Sequence, residues 1–176
     1  MSEWTAGMTN PFVVSGPVTT LDRSYKVKDD QTFKAGELIR LTSAGTVQAA
    51  ALASTTAGAV HGIALANAAD YDNTEADAPF KGKPIPVAMF HTDTVIGIQL
   101  AADKDQGDVA VGQSYALAVA SNKWTLTDTT ANGIAQVVEK SSEAQWFDPM
   151  ADADLLGSIV FVRFPASVLD GRAAEA

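Results

Sequence analysis

Short apolar runs, each bounded by glycine, proline or small polar residues, follow one another along most of the chain. The pattern of residues 59–65 has a period of two, which is that of a β-strand and not of an α-helix. The turn residues between the runs are typical of β-hairpins. The runs cover residues 38–41, 46–49, 59–65, 83–90, 94–100, 112–117, 124–127, 130–138 and 158–164. The pattern therefore predicts an all-β fold.

The second half of the chain repeats the order of features in the first half. Residues 112–117 match residues 36–41, since both begin with glycine, continue as a strand and end in leucine. A turn and a return strand follow in both places, and residues 130–138 share the tripeptide Gly-Ile-Ala with residues 56–65. The identity is low for a true repeat. The similarity supports the β assignment and predicts two similar hairpin-plus-strand units.

The N-terminal residues 1–20 depart from this pattern. Glycines and prolines are frequent here and interrupt regular elements, so the segment is predicted to be an extended arm. An apolar arm needs a surface to lie on, and three interpretations remain open: it packs along its own domain, it reaches over a neighbouring subunit, or it is disordered. The larger apolar residues of the arm are Trp4, Phe12, Val13 and Val14.

Residues 21–165 are expected to form one β-rich domain, a small β-barrel or β-sandwich (β-tulip-like) that contains the two similar units. Residues 166–176 follow as a short C-terminal tail. Pro84 and Pro86 have no backbone N–H to donate, so the strand that they begin is expected to start at a sheet edge. Such an edge needs either a partner or protection.

Charge and composition exclude several classes of partner and of enzyme. The 176 residues include 21 Asp and Glu against 12 Lys and Arg, a formal net charge of -9, which repels nucleic-acid phosphates and anionic lipids. We therefore expect neither a nucleic acid nor a membrane as a partner. The lack of cysteine removes disulfides, thiol nucleophiles and thiolate zinc sites. No apolar run reaches the roughly 18 residues of a membrane span and no signal peptide is visible, which predicts a protein made and kept in the cytosol.

The motifs of the common catalytic sites are missing. His61 lies in an apolar run and His91 precedes another, and neither has the paired ligands of a catalytic zinc site. Ser114 has only half of the hydrolase signature, and Gly82-Lys83 lacks the rest of a phosphate-binding loop. Both histidines are therefore interpreted as packing or surface residues. We expect a non-enzymatic protein without a cofactor or a metal.

Two acidic segments are candidates for a calcium site or for an acid/base pair. Residues 70–77 alternate oxygen-bearing side chains as a calcium loop does, but Glu75 replaces the required glycine and Lys81 the required glutamate. A solvated loop is the preferred interpretation, with a calcium site of another kind as the alternative. The second segment flanks a proline turn, so its carboxylates are interpreted as capping or solubilising groups and not as an acid/base pair. They are Asp148, Asp152 and Asp154.

Three segments of the first unit, together with their counterparts in the second, resemble a known family. They are residues 34–41 (KAGELIRL), 45–50 (GTVQAA) and 58–65 (GAVHGIAL). A second glycine-strand-turn-strand block and a valine-rich final strand follow, so the likeness covers residues 22–164. The order is similar to that of bacteriophage head decoration proteins, also called capsid cement proteins. The resemblance implies a small β-rich homo-oligomer, often a trimer, on the outer surface of the virion head.

The resemblance also implies a structural function without a reaction. Copies of such a protein bridge neighbouring subunits of the major capsid protein and strengthen the head against its packed DNA. Linked subunits make this attachment tight even when each contact is weak. Exposed apolar and aromatic residues mark interaction sites, although the two aromatics before Asp148 could also be core anchors. The expected capsid or subunit contacts are Trp4, Phe12, Val13, Val14, Trp146 and Phe147.

Two other functions suit the same composition. One is a different structural module of a virion, in the tail, baseplate or fibre. The other is a carbohydrate-binding β-sandwich, in which Tyr115, Trp124 and Trp146 would form a stacking platform. This last alternative requires the rings to be exposed on one face, and burial of the rings would exclude it.

Overall fold

The computed structural model of the protein describes residues 10–51, 58–102, 104–141 and 158–170. Strands dominate these residues, and their helical part is the 3-10 turn Ala68–Asp70 and the α-helix α1, Ala166–Leu169. The strands are β1 (Phe12–Ser15), β2 (Val18–Leu21), β3 (Lys26–Val27), β4 (Leu38–Leu41), β5 (Thr46–Ala49), β6 (Gly62–Ala64), β7 (Val87–Phe90), β8 (Val95–Leu100), β9 (Ser114–Tyr115), β10 (Leu117–Ala120), β11 (Lys123–Leu126), β12 (Ala135–Lys140) and β13 (Ile159–Arg163). The prediction of an all-β fold is confirmed.

Strands β2 to β7 form the first sheet, in the order β2-β7-β6-β4-β5-β3. Neighbours are antiparallel except β3 and β5, which pair in parallel. A bridge between Lys26 and Pro84, and a hydrogen bond from Ile85 N–H to Tyr25 O, connect β3 to the chain just before β7. The two ends of the sheet therefore approach each other, and the sheet curves around its own interior.

The prolines near β7 lie in front of the strand and not within it. β7 begins at Val87 and pairs with β2 on one side and β6 on the other, so the expectation that this strand starts at a sheet edge is wrong. Pro86 takes part through the group that it has, because its carbonyl accepts the Leu65 N–H at 3.1 Å. The prolines stay outside the regular ladder, as their missing N–H requires.

Strands β8 to β13, together with β1, form the second sheet, in the order β10-β11-β8-β13-β12-β9. β13 occupies one side of β8, and the other side is shared by β1 and the parallel strand β11. The terminal strands β9 and β10 are consecutive in the chain. The second sheet is therefore a nearly closed barrel.

The two sheets repeat one pattern of hydrogen bonds. In each sheet the turn glycine donates its N–H to the carbonyl of one residue in β6 or β12, and that residue donates its own N–H to the residue after the glycine. A further backbone hydrogen bond lies at the same sequence spacing in both sheets. Gly36 and Gly112 both have positive φ, at 88° in each case, which glycine adopts without the strain of a Cβ. The equivalent bonds are Gly36 N–H to Ala64 O and Gly112 N–H to Val137 O, Ala64 N–H to Glu37 O and Val137 N–H to Gln113 O, and His61 N–H to Ile39 O and Ile134 N–H to Tyr115 O.

The shared tripeptide does not mark equivalent positions. The hydrogen bonds place Gly62 opposite Ile39 and Ala135 opposite Tyr115, so Gly62 corresponds to Ala135 and not to Gly133. The shift of two residues keeps each side chain on its own face of the strand, because the period of a strand is two. A sequence alignment therefore loses the register here while preserving the apolar pattern.

The interior of the first sheet holds one compact apolar cluster. Alternate residues of β4 and β5 contribute Ile39, Leu41 and Val47, and the loop residue Phe33 fills the space between them. Its buried members are Val27, Phe33, Ile39, Leu41, Val47, Ala64, Ala68, Ile85 and Val87.

The core of the second sheet also includes residues of the first sheet. Leu38, Ile63 and Phe90 belong to the same cluster as the interior residues of the second barrel, and the rings of Phe90 and Phe164 stack with centroids 5.8 Å apart. The predicted C-terminal tail contributes Val168, which is buried in this cluster and whose carbonyl accepts the Gly58 N–H. The two sheets therefore share one core.

A third cluster lies on the outer face of the second barrel. Ile159 and Phe161 of β13 are fully buried there, which explains why that strand is apolar at consecutive positions and not at alternate ones. Phe12 and Val14 of β1 pack on them. The ring of Phe12 fits over Gly97, where an added Cβ would lie 2.3 Å from the Phe12 Cζ.

We expect Gly97→Ala to lower the free energy of unfolding by about 1–3 kcal/mol, because the new methyl group displaces the Phe12 ring. Phe12→Ala alone should cost about 2 kcal/mol through lost packing. In the double variant the methyl group has room, so the cost of Gly97→Ala should largely disappear. Urea unfolding of the four proteins measures this coupling.

Gly62→Ala is the matched control, since its Cβ would meet the Ala88 backbone carbonyl and not the Phe12 ring. Its cost should be the same with and without Phe12→Ala. Additive effects of Gly97→Ala and Phe12→Ala would contradict the packing described for the outer cluster.

Candidate interaction surface

The described part of the predicted arm forms a strand pair that connects the two sheets. β1 runs antiparallel to β8 with Phe12 opposite Gly97, and β2 runs antiparallel to β7 with Leu21 opposite Val87. We call residues 12–21 the N-terminal strap. Of the three interpretations for the arm, this segment follows the first, because it packs along its own domain.

The strap crosses between the sheets at Gly16 and Pro17. Gly16 has φ of 86°, and a Cβ there would lie 2.1 Å from the Asp93 carbonyl oxygen, so only glycine fits without displacing backbone. The Thr94 hydroxyl donates to the Pro17 carbonyl and accepts the His91 N–H. These contacts fix the strap against the β7–β8 turn.

His91 takes part in the same junction. Its Nε2 lies 2.8 Å from the Thr19 hydroxyl, and the ring is exposed. The other histidine, His61, is buried, and its Nδ1 accepts the Leu41 N–H at 3.1 Å. Each histidine therefore has a structural hydrogen bond, in keeping with the interpretation of both as packing or surface residues.

The expected contact residues divide into three groups. Phe12 and Val14 are half-buried on the outer cluster of the second barrel, so their apolar surface is largely used within the chain. Val13, between them, keeps 40% of its surface exposed. Trp4, Trp146 and Phe147 lie outside the described residues.

Three further large apolar side chains are exposed and were missed in the sequence. Leu65 is 46% exposed, Phe80 45% and Val111 52%. Each lies in a connection between strands, where the alternation that marks a buried face does not apply. Phe80 stacks on Tyr71 with centroids 5.1 Å apart, so its exposed ring is held in one position.

The aromatic platform required for carbohydrate binding does not form from the described residues. Tyr115 is buried and its hydroxyl accepts the Ala110 N–H at 2.8 Å. Trp124 is 1% exposed, and its Nε1–H donates inward to Glu37. The third proposed ring, Trp146, lies outside the described residues.

Glu37 forms a buried polar contact between the two sheets. Its carboxylate accepts the Trp124 indole N–H at 3.2 Å, the Lys34 N–H at 3.0 Å and the Asn122 side-chain amide. The contact follows from the fold, because Glu37 lies just before β4 while Asn122 and Trp124 lie in the β10–β11 hairpin. Partners 85 and 87 residues away leave no local trace in the sequence, which is why Glu37 was not among the predicted site residues.

We expect Glu37→Ala to lower the free energy of unfolding by about 2–4 kcal/mol, because three donors lose a charged acceptor in a buried place. Gln113→Ala is the matched control. Gln113 occupies the equivalent position of the second sheet but is exposed, so its truncation should change stability by less than about 0.5 kcal/mol. Thermal or urea unfolding compares them, and equal effects would contradict the role given to Glu37.

The predicted acidic loop is ordered around Asp72, which is 2% exposed. Its carboxylate accepts the Thr74 N–H and hydroxyl at 2.8 and 2.7 Å, and the Asp30 N–H at 2.9 Å. Burial acts to raise the pKa of Asp72, but the hydrogen bonds from Thr74, Asp30 and the Gln31 N–H outweigh it and hold the pKa below its ordinary value. The loop is thus an internally bonded structure and not simply a solvated segment.

We expect Asp72→Ala to cost about 2 kcal/mol of unfolding free energy at pH 7, from the lost acceptors. Because the folded-state pKa is lowered, this stabilisation is complete above the unfolded-state pKa of about 3.9 and disappears as pH falls through the folded value. The difference between wild type and variant should therefore shrink below about pH 4. Urea unfolding from pH 7 to pH 3 measures it.

Glu75→Ala, at an exposed position of the same loop, should leave stability unchanged at every pH. A gap between wild type and Asp72→Ala that stays constant down to pH 3 would contradict the ionised acceptor. The same result with Glu75→Ala as with Asp72→Ala would assign the effect to net charge.

The described residues also bear on a metal site and on a membrane span. Within them, no group of three or more His, Cys, Asp or Glu side chains is arranged to hold a metal ion. No helix in these ranges is long and apolar enough to cross a membrane. Asp148, Asp152 and Asp154 lie outside the ranges.

Comparison of the sequence with protein-family models and with curated proteins finds no match. A function is therefore argued from three features of the chain: two equivalent sheets with a shared core, a strap along both sheets, and separate exposed apolar side chains.

Proposed function

We propose that this protein is a decoration (cement) protein of a bacteriophage head. In this proposal it binds the outer surface of the capsid as a homo-oligomer, most simply a trimer, and bridges neighbouring subunits of the major capsid protein. Its function is mechanical, and no reaction, cofactor or metal is assigned to it. Its place is the outside of the virion head.

The observation that carries the proposal is the joining of two equivalent sheets into one body by a shared core, a buried carboxylate and a common strap. Leu38 and Phe90 are packed into the second barrel, and Glu37 binds Trp124 across the boundary. A body joined in this way transmits force between its two ends without separating, as a bridge between capsid subunits must. The resemblance of residues 22–164 to decoration proteins supports the same conclusion.

The distribution of charge supports an outward position. The net charge of -9 opposes contact with packed DNA. By contrast, the strap carries no charged residue, so it provides a neutral surface for protein contact. Linking three such bodies would convert weak contacts into stable attachment.

A structural module of the tail, baseplate or fibre is the alternative function. The joined sheets and exposed apolar side chains would serve there as well. The carbohydrate-binding alternative has less support, because Tyr115 and Trp124 are buried. The position of the protein on the particle separates the two virion functions.

We expect purified protein to be an oligomer by light scattering and to saturate undecorated heads with a fixed number of copies per capsid subunit. Bound heads should resist heat or osmotic shock better than bare heads, because each copy bridges subunits. Electron microscopy of saturated particles locates the protein. Density on the head supports the proposal, and density on the tail supports the alternative.

The point variant Val13→Lys, with Val111→Lys as its control, is preferable to deletion of residues 1–16. The deletion would remove β1 and uncover the outer cluster beneath Phe12, so loss of binding could reflect loss of stability. A stable monomer without affinity for heads or tails would overturn both virion functions.

A further inference from the structure

We propose that a pocket between the two sheets binds an alkylammonium group, the protonated amine of a small aliphatic molecule or of a lysine side chain. The pocket has a volume of about 340 Å³ and lies where the loop before β4 and the end of β5 meet the β10–β11 hairpin. We call it the inter-sheet pocket. The inference goes beyond the proposed function, because it concerns a ligand of the isolated protein.

The inter-sheet pocket contains a buried carboxylate without a cationic partner among the described residues. Glu37 lines the pocket and is buried. Its three donors are the Lys34 backbone N–H, the Asn122 side-chain amide and the Trp124 indole N–H, and all of them are neutral groups. The ion pairs within the described ranges involve other carboxylates. A cation that enters the pocket therefore meets a negative charge that water screens little.

The hydrogen bonds that Glu37 already makes select the kind of cation. A carboxylate has about four acceptor positions. Oε1 accepts from Lys34 and Asn122, and Oε2 accepts from Trp124. One position remains on Oε2, which fits a single N–H of an ammonium group. A guanidinium prefers to bind both carboxylate oxygens side by side, and the bonds already present oppose that arrangement.

The other polar groups of the pocket fit an ammonium ion better than a metal ion. The hydroxyls of Thr32 and Ser121 lie in the lining, and neither has a hydrogen-bond partner among the described residues. Together with Glu37 they offer three acceptors, which equals the number of N–H donors of an ammonium group. Calcium takes about six to eight oxygen ligands. The donor set therefore favours a cation that binds through hydrogen bonds.

The remaining lining fits the hydrocarbon part of such a ligand. Phe33, Ala49, Ala50, Val119 and Trp124 supply its apolar surface. Aromatic rings also attract a cation that lies over their faces. At roughly 30 Å³ for each water-sized group, the volume of about 340 Å³ is sufficient for an amine with a chain of about five carbons.

The hairpin that closes the pocket is fixed before a ligand binds. Ser121 and Asn122 have φ of 50° and 63°, as the tight turn of a two-residue hairpin requires, and Asn122 is bonded to Glu37. The equivalent of Glu37 in the second sheet is Gln113, which is exposed and uncharged. We therefore expect one site per chain. A ligand there contacts both sheets, so its binding should stabilise the joined body.

Titration of the isolated, isotope-labelled protein with n-pentylammonium chloride at pH 7 tests the inference by nuclear magnetic resonance. We expect a saturable shift of the Trp124 indole N–H signal with a dissociation constant of about 1 mM. The neutral alcohol n-pentanol, which has the same chain, should bind at least about tenfold more weakly. At ten times the dissociation constant the amine should raise the melting temperature by about 3–5 °C.

Glu37→Gln removes the charge and keeps one amide oxygen as an acceptor. It should lose at least about tenfold in affinity for the amine and little for the alcohol. Glu75→Gln is the matched control, because it removes the same charge at an exposed position outside the lining, and it should bind as wild type does. Circular dichroism verifies the fold of each variant. Val119→Phe fills the pocket from a half-buried position of its wall, and it should weaken the binding of both ligands even if Glu37→Gln does not fold.

Several outcomes would overturn the inference: shifts that do not saturate, equal affinity for amine and alcohol, or full affinity in Glu37→Gln or in Val119→Phe. Equal losses in Glu37→Gln and Glu75→Gln would assign the binding to net charge and overturn it as well. Nα-acetyl-lysine methylamide separates the two sources of the ammonium group. If it binds more tightly than n-pentylamine, the ligand is a lysine side chain of a protein, and otherwise it is a free amine.

Discussion

Leu38, Ile63 and Phe90 extend from the first sheet into the core of the second, and the rest of the structure depends on this shared burial. Each sheet consists of strands of two to six residues, which alone bury little apolar surface. Packed together, they also bury Leu38 on the outer face of β4. The two sheets therefore stabilise each other as one body.

The shared core places polar groups at the boundary, and each needs a partner there. Glu37 satisfies the Trp124 indole and the Asn122 amide across the two sheets. His61 satisfies a backbone N–H at the end of β4. Asp72 organises its loop in the same way. Each of these three buried side chains therefore accepts hydrogen bonds that stabilise the fold.

The strap completes both sheets. It pairs with β8 in the second sheet and with β7 in the first, and Phe12 and Val14 cover Phe161 of the outer cluster. Removal of the segment would therefore end both pairings and uncover the outer cluster.

Local sequence is sufficient to predict the strand pattern and the glycine turns, because these depend on neighbours a few residues apart. Gly36 and Gly112 were matched correctly, since each needs positive φ at the same turn. The shift of the shared tripeptide by two residues is visible only in the tertiary structure, because hydrogen bonding sets the register. The tertiary structure is also needed to see that Glu37 joins the sheets and that Phe12 faces inward while Val13 does not. The outcomes at Glu37 and Phe12 depend on partners about 85 residues away along the chain, which no local pattern records.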